Sequence, residues 1–151
     1  MVQRTEVFIS YSHRDAEWLK RLQLYLAPLE EAGQLSYWND TRITAGMKWR
    51  KEIAQALARA RVAVLLVSDA FLASAFITRD ELPPLLKAAE QDGTLVVPVI
   101  VSPCRYARTP ALSAFQAANS PARTLEEMEP AEWKRVLLGV SELIEDTLTN
   151  P

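Results

Sequence analysis

The chain has 151 residues, 49% hydrophobic and 24% charged, which fits one compact domain with a single buried core. Its 17 basic and 19 acidic residues give a formal charge of -2, so there is no net basic field to attract nucleic acid. One cysteine and one histidine exclude an internal disulfide and a histidine-based zinc site, so neither a metal nor a cofactor is expected. No apolar run is long enough to span a membrane, and we expect a soluble cytoplasmic protein.

Four short apolar segments have the length and the β-branched content of strands. They lie at residues 6–11, 35–38, 62–67 and 95–101. The last two are uninterrupted apolar runs, a pattern typical of parallel strands that are buried on both faces. Pro98 lies inside the last run and lacks a backbone donor, so it predicts a bulge or a strand end at that position.

Apolar residues at helical spacing predict helices between the strands and at the end of the chain. These segments run from residue 15 to Gly33, over 49–60, within 69–91 and after Pro130. Two consecutive prolines at 83 and 84 predict a break or a fresh helix start at residues 78–82. Residues 102–129 are rich in Ser, Pro and Ala and predict a loop, with one short strand considered near Phe115.

Strands that alternate with helices predict a doubly wound α/β domain, with a parallel sheet and helices on both of its faces. In such sheets, ligands bind at the carboxyl ends of the strands, near the point where the strand order reverses. The loops after Tyr11, Trp38 and Val67 are therefore the places where we expect chemistry.

Three segments resemble the signature boxes of Toll/interleukin-1 receptor (TIR) domains. Residues 7–15 (VFISYSHRD) resemble the first box, and residues 64–82 resemble the third strand and the helix that follows it. Residues 40–49 (DTRITAGMKW) resemble the second box, the BB loop, in the pattern Asp-x-x-Ile-x-x-Gly-x-x-Trp. The resemblance implies one TIR domain over residues 1–151, belonging to a longer protein, with a flavodoxin-like fold of five parallel strands in the order 2-1-3-4-5 flanked by helices.

The same resemblance implies a function. Members of the family either cleave NAD+ or act as adaptor modules, and bacterial members often serve in antiphage defence. We expect an NAD+ nucleosidase, a hydrolase or cyclase with NAD+ as substrate, that other TIR domains activate by self-association. Arg42, Ile43 and Gly46 lie in the loop that relatives use for this contact. The alternative is a non-enzymatic module that only recruits other TIR domains.

Glu81 matches the catalytic glutamate of the NAD-cleaving members. Nicotinamide leaves as a neutral pyridine, so one carboxylate that stabilises positive charge on the ribose is sufficient, without the second carboxyl group of ordinary glycosidases. From spacing alone, Thr78 and Glu81 also fit a helix capping box. Ile77 stands where many NAD-cleaving relatives carry Trp, with Phe76 beside it, and this difference leaves the module alternative open.

The candidate substrate-binding residues follow the predicted strands. They are Ser12, His13, Arg14, Trp38, Asp40, Ser68, Ser74 and Phe76. Arg14 is suited to the pyrophosphate, and Asp40 to the ribose hydroxyls. Trp38 could stack on a ring of the substrate or be a core residue, and residues 12–14 could equally be a helix cap with solvated charges. Ser12 occupies a position where relatives often have Arg.

Overall fold

The computed structural model describes residues 6–39, 49–74 and 82–149. The strands of this part are β1 (Glu6–Ser10), β2 (Ser36–Asn39), β3 (Ala60–Val67) and β4 (Leu95–Ile100). The helices are α1 (Ala16–Glu31), α2 (Trp49–Arg59), α3 (Asp69–Leu72), α4 (Leu82–Gln91), α5 (Pro110–Ser113) and α6 (Pro130–Thr149). Single 3-10 turns lie at His13–Asp15, Tyr106–Arg108 and Leu125–Glu127. Each of the four strands overlaps the segment where the sequence predicts it.

The strands form a parallel sheet in the order β2-β1-β3-β4. Strand β1 is central, and Phe8 pairs with Trp38 on one side and with Ala63 on the other. The α/β class, the parallel pairing and the order of the first four strands are therefore confirmed. The chain crosses from β2 over β1 to reach β3, so the strand order reverses between β1 and β3.

Both faces of the sheet are covered by helices. Val62, Val64 and Leu66 face the layer of α1 and α6. Ala63 and Leu65, which alternate with them along β3, face the layer of α2 and α4. Successive side chains of a strand point to opposite faces, and here both faces are dry, which explains the uninterrupted apolar run in the sequence.

The expectation of a fifth strand after β4 is wrong. Residues 101–129 are all described and contain helical turns and bends but no strand. Ala118 donates its N–H to the Pro98 carbonyl over 2.8 Å. The Asn119 side chain accepts from the Ile100 N–H over 2.8 Å and donates to the Ile100 carbonyl over 2.9 Å. A turn and one amide side chain thus take the place of a strand along the outer edge of β4, in a segment whose prolines and serines favour turns.

Pro98 lies inside β4, in register with Leu65. The prediction of a bulge or a strand end at this position is therefore wrong. Its carbonyl faces the outer edge, toward Ala118. The N and the carbonyl of one strand residue point to the same side, so the missing N–H costs no hydrogen bond to β3. Pro98 is compatible with this strand because β4 is the last strand of the described sheet.

Glycine turns end α1 and α4 and lead into the next strand. Gly33 has φ 73° and donates to the Glu30 carbonyl, and Gln34 donates to the Leu29 carbonyl, each over 3.0 Å. This is a Schellman motif, which needs the left-handed conformation that glycine adopts without strain. Gly93, with φ 98°, ends α4 with the same pair of bonds.

Helices α1 and α6 run in the same direction. Trp18 near the start of α1 contacts Trp133 near the start of α6, with ring centres 5.3 Å apart. Near the end of α6, Asp146 and Thr147 share a hollow with Gly93 and Thr94, which precede β4. Both helices therefore begin at the carboxyl edge of the sheet and return to its amino edge.

Helix α4, as described, begins at Leu82, so Pro83 and Pro84 lie in its first turn, where a missing N–H costs no helical hydrogen bond. The break or fresh start expected at residues 78–82 stays a prediction, because residues 78–81 lie outside the described residues. Within residues 6–39, 49–74 and 82–149, no helix combines the length and the apolar content that a membrane crossing requires.

Candidate functional site

The turn after β1 presents polar side chains at the carboxyl edge of the sheet. Ser12 has an extended backbone, and its Oγ accepts from the Arg14 N–H over 3.3 Å, which caps the 3-10 turn. His13 and Arg14 are exposed, and the His13 ring lies edge-on to Tyr11 with ring centres 6.4 Å apart. One guanidinium and one imidazole are therefore accessible where the strand order reverses.

Asp15 in the same turn points inward. It precedes α1 but makes no capping bond to that helix, and only 6% of it is exposed. Its Oδ2 accepts from the Ser68 hydroxyl over 2.5 Å. The Ser68 Oγ in turn accepts from the Phe71 N–H over 3.0 Å and caps α3. The ends of β1 and β3 are thus joined by a buried hydrogen-bonded pair.

A second serine links β3 to β4 at the same edge. The Ser102 Oγ accepts from the Asp69 N–H and donates to Asp69 Oδ1, each over 3.2 Å. Ser102 is buried, whereas Asp69 is exposed. The segments that follow three adjacent strands are therefore linked by side-chain hydrogen bonds.

Two carboxyl groups at this edge, those of Asp15 and Glu126, have a raised pKa. Burial raises the pKa of Asp15; the hydrogen bond from Ser68 opposes that shift, and the nearby charge of Asp69 adds to it. Burial likewise raises the pKa of Glu126, with the charges of Asp15 and Asp69 contributing in the same direction. Asp15, Asp69 and Glu126 therefore lie close enough together for their charges to interact. In the described part of the chain, no three His, Cys, Asp or Glu side chains are grouped so as to hold a metal ion.

The structure brings together some of the predicted site residues. Ser12, His13, Arg14 and Ser68 lie at the ends of the neighbouring strands β1 and β3. Ser74 is half-buried just after α3, where its N–H donates to the Phe71 carbonyl over 3.1 Å. The Trp38 backbone lies near the end of β2, beside Phe8.

The remaining predicted site residues lie outside the described residues. These are Asp40, Phe76 and Glu81, together with Arg42, Ile43 and Gly46 of the self-association loop. The capping-box alternative for Thr78 and Glu81 lies there as well. Their roles stay predictions from the resemblance.

Asp15 and Ser102 were missed by the sequence reasoning. Asp15 belongs to a polar run typical of helix caps, and nothing in its neighbourhood along the chain shows that it is buried. Ser102 carried a usable signal, because it is the first polar residue after the apolar run that ends at Val101. Ser68 stands in the same position after Val67.

Comparison with known proteins agrees with this architecture. The uncharacterized protein y4lF of Sinorhizobium fredii (strain NBRC 101917 / NGR234) is 30% identical to the chain over 104 residues. The aligned part makes up 69% of this chain and 32% of that relative, so the chain spans about a third of the relative's length. A family model described as TIR domain matches residues 7–137, from β1 into α6. The chain belongs to the TIR domain family.

Proposed function

We propose that this TIR domain cleaves the bond between nicotinamide and ribose in NAD+, as a hydrolase or a cyclase. The observation that supports the proposal is the family match over residues 7–137, which includes both the turn after β1 and Glu81. Cleavage of NAD+ is one of the two activities found in this family. We further propose that the activity serves bacterial immune defence or signalling.

Glu81 would supply the carboxylate for the reaction. As the bond to nicotinamide breaks, positive charge develops on the ribose, and a nearby carboxylate stabilises that charge while it holds a ribose hydroxyl. The leaving pyridine is neutral and needs no proton, so the reaction requires no general acid.

Arg14 would bind the pyrophosphate of the substrate. Its side chain is exposed at the carboxyl edge, where the strand order reverses, and a guanidinium can hold two phosphate oxygens at once. His13 is exposed beside it. Asp40 would hold ribose hydroxyls, and Trp38, Ser74 and Phe76 would contribute to the walls of the pocket.

Self-association would activate the enzyme. TIR domains interact with other TIR domains, and we propose that the loop with Arg42, Ile43 and Gly46 makes this contact and completes the site of a neighbouring copy. An isolated domain at low concentration is then nearly silent. The activity per molecule should rise with protein concentration.

A non-enzymatic interaction module is the second candidate. Ser12 favours it, because relatives often have Arg at this position and the Ser12 hydroxyl is already bonded to the Arg14 N–H over 3.3 Å. In this reading, the contact between TIR domains is the whole function, and the carboxyl edge binds no nucleotide.

The deciding experiment measures consumption of NAD+ at high protein concentration with a crowding agent, followed by chromatography of the products. The variants are Glu81→Gln and, as a matched control, Glu90→Gln, which changes an exposed carboxylate on α4. NAD+ loss in the wild type and Glu90→Gln, but not in Glu81→Gln, supports the enzyme. No turnover by any of the three, at concentrations where light scattering detects assembly, supports the module.

A further inference from the structure

Leu24 is the most exposed large apolar side chain in the described part of the chain, at 75%. It lies on the outer face of α1, whereas Leu22 and Leu26 of the same helix are buried against the sheet. Ala27 and Pro28, about one turn further along the helix, are exposed as well. Leu24, Ala27 and Pro28 thus form an apolar patch on the surface, which we call the α1 patch.

Two carboxylates follow the α1 patch at the end of the helix. Glu30 and Glu31 are exposed, and the last turn of α1 contains no basic residue. The C-terminal end of a helix carries partial negative charge, so carboxylates there are destabilising until a cation approaches them. Within residues 6–39, 49–74 and 82–149, neither carboxylate forms an ion pair. The end of α1 is therefore suited to a basic partner.

A groove with apolar walls lies on the opposite face of the sheet, between α4 and α5. Its volume is about 400 Å³. Pro84 of α4 lines one side, and Pro110, Ala111 and Ala114 line the other; all four are exposed. Phe115 also lines the groove and belongs to the core cluster on the α4 side of the sheet. The groove can therefore accept an apolar side chain from outside the domain.

Basic side chains lie in and beside this groove. Lys87 is part of its lining, and Arg105 and Arg108 flank Tyr106 in the turn that leads into α5; all three cations are exposed. The Tyr106 hydroxyl donates to the Phe115 carbonyl over 2.6 Å, which holds this turn against the groove. The described lining contains one acidic residue. Three cations against one carboxylate make the surroundings of the groove positive.

We propose that the groove between α4 and α5 binds the α1 patch of a second copy of this chain. Leu24 enters the groove, and Glu30 and Glu31 face its basic rim at Lys87. Apolar surface then meets apolar surface, and acidic groups meet basic groups, as in electrostatically complementary interfaces. This inference extends the proposed self-association to a second surface, separate from the loop at residues 42–46.

The position of the two surfaces determines the kind of assembly. The α1 patch and the groove lie on opposite faces of the sheet, so a copy whose groove is occupied still presents its own α1 patch to a third copy. Such a head-to-tail contact is heterologous and produces a ring or an open filament. The size of the assembly should therefore grow beyond two copies as protein concentration rises.

The test forms a disulfide between copies, which reports this contact and not the one proposed at the loop. In a Cys104→Ser background, one copy carries Leu24→Cys, and a copy with a larger tag carries Ala111→Cys or Ala114→Cys. Mild oxidation should join the two species at least about tenfold faster than it joins Leu138→Cys to the same groove variants, because docking raises the effective concentration. Leu138 is a matched control, 45% exposed on α6 in the same layer as α1. Equal rates for Leu24→Cys and Leu138→Cys overturn the proposal.

Charge reversal tests the polar part of the contact in the same mixture. Lys87→Glu in the groove copy should slow the cross-linking severalfold, whereas Lys51→Glu, at an exposed position on α2 in the same layer, should change it little. Glu30→Lys with Glu31→Lys in the other copy should restore the rate lost in Lys87→Glu, because opposite charges meet again. Equal effects of Lys87→Glu and Lys51→Glu, or no recovery in the doubly reversed pair, overturn the pairing of these charges.

This readout needs no turnover of NAD+. A protein that cleaves NAD+ but shows no preferential cross-link overturns this inference alone. A preferential cross-link without turnover supports this inference and counts against the enzyme alone. The substituted positions other than 104 are exposed, and every mixture shares Cys104→Ser, so a loss of stability from that change affects test and control equally.

Discussion

The side-chain amide of Asn119 forms with Ile100 the pair of hydrogen bonds that a neighbouring strand would form. Its Oδ1 accepts from the Ile100 N–H over 2.8 Å, and its Nδ2 donates to the Ile100 carbonyl over 2.9 Å. The same Nδ2 reaches the Arg123 carbonyl over 3.1 Å, which ties the following turn to the sheet. One residue thereby satisfies backbone groups of β4 that would otherwise lie unpaired at an edge.

Asn119→Ala should therefore destabilise the domain. The substitution leaves a partly buried N–H and carbonyl of β4 without their partner, at a cost of about 1 to 3 kcal/mol. Urea unfolding followed by circular dichroism measures the change. Gln116→Ala, an exposed amide in the same segment, is the control and should unfold as the wild type does. Equal midpoints for Asn119→Ala and the wild type would contradict the strand-like role of this side chain.

Asp15 should make stability depend on pH in a defined direction. Burial raises the pKa of Asp15 in the folded state, so folding favours the protonated carboxyl. The contribution of protonated Asp15 to the unfolding free energy is fully present below the ordinary aspartate pKa of about 4. It is lost as pH rises through the raised pKa of the folded state. The unfolding free energy of the wild type, minus that of Asp15→Asn, should fall over this range. Urea titrations at a series of pH values test this, and a difference that is independent of pH would refute it.

Leu22 and Leu24 should respond in opposite ways to the same substitution. Leu22 is 0% exposed in the layer between α1 and the sheet, whereas Leu24 of the same helix is 75% exposed. Leu22→Ala should cost about 2 to 5 kcal/mol, because it leaves a cavity in a packed core. Leu24→Ala should change stability by less than about 0.5 kcal/mol. Thermal and urea unfolding of the pair measure both effects, and similar losses in the two variants would contradict the assignment of the buried face of α1.

Arg21 should stabilise the contact between α1 and α6. Its guanidinium carbon lies 4.5 Å from the centre of the Trp18 ring and 4.7 Å from that of Trp133. Arg21→Ala should cost about 1 kcal/mol, since it removes a cation from two aromatic faces together with the packing of its stem. Lys20→Ala, at an exposed position on α1, is the control. An Arg21→Ala variant with the stability and tryptophan emission of the wild type would argue against this contribution.

The sequence predicts the four strands because their patterns are strong. The runs around Val64 and Val97 are apolar over whole strands, and Gly33 stands at a helix end whose φ of 73° suits glycine. The missing fifth strand is a different case. Asn119 takes its place through a side chain, and a side-chain contact between residues 19 positions apart leaves no periodic pattern in the chain.

From the sequence, only residues that follow a predicted strand can be assigned to the candidate site. Ser12, His13, Arg14 and Ser68 follow strands, and parallel strands bring their carboxyl ends to one edge. The inward turn of Asp15 could not be predicted, because a carboxylate before a helix ordinarily caps it. Here the Ser68 hydroxyl, 53 positions away, provides a stronger partner inside the fold.

The start of β1 and the end of α6 both lie at the amino edge of the sheet. Glu6 begins β1 and forms an ion pair of 3.0 Å with Arg59 at the end of α2, and residues 146 and 147 lie beside Gly93 before β4. Both outer limits of the described chain are therefore on the side away from Arg14 and Ser68. A dye, a solid support or a fused reporter attached at either limit will leave the carboxyl edge facing the solution, so the proposed binding of NAD+ can be tested on tethered molecules without blocking that edge.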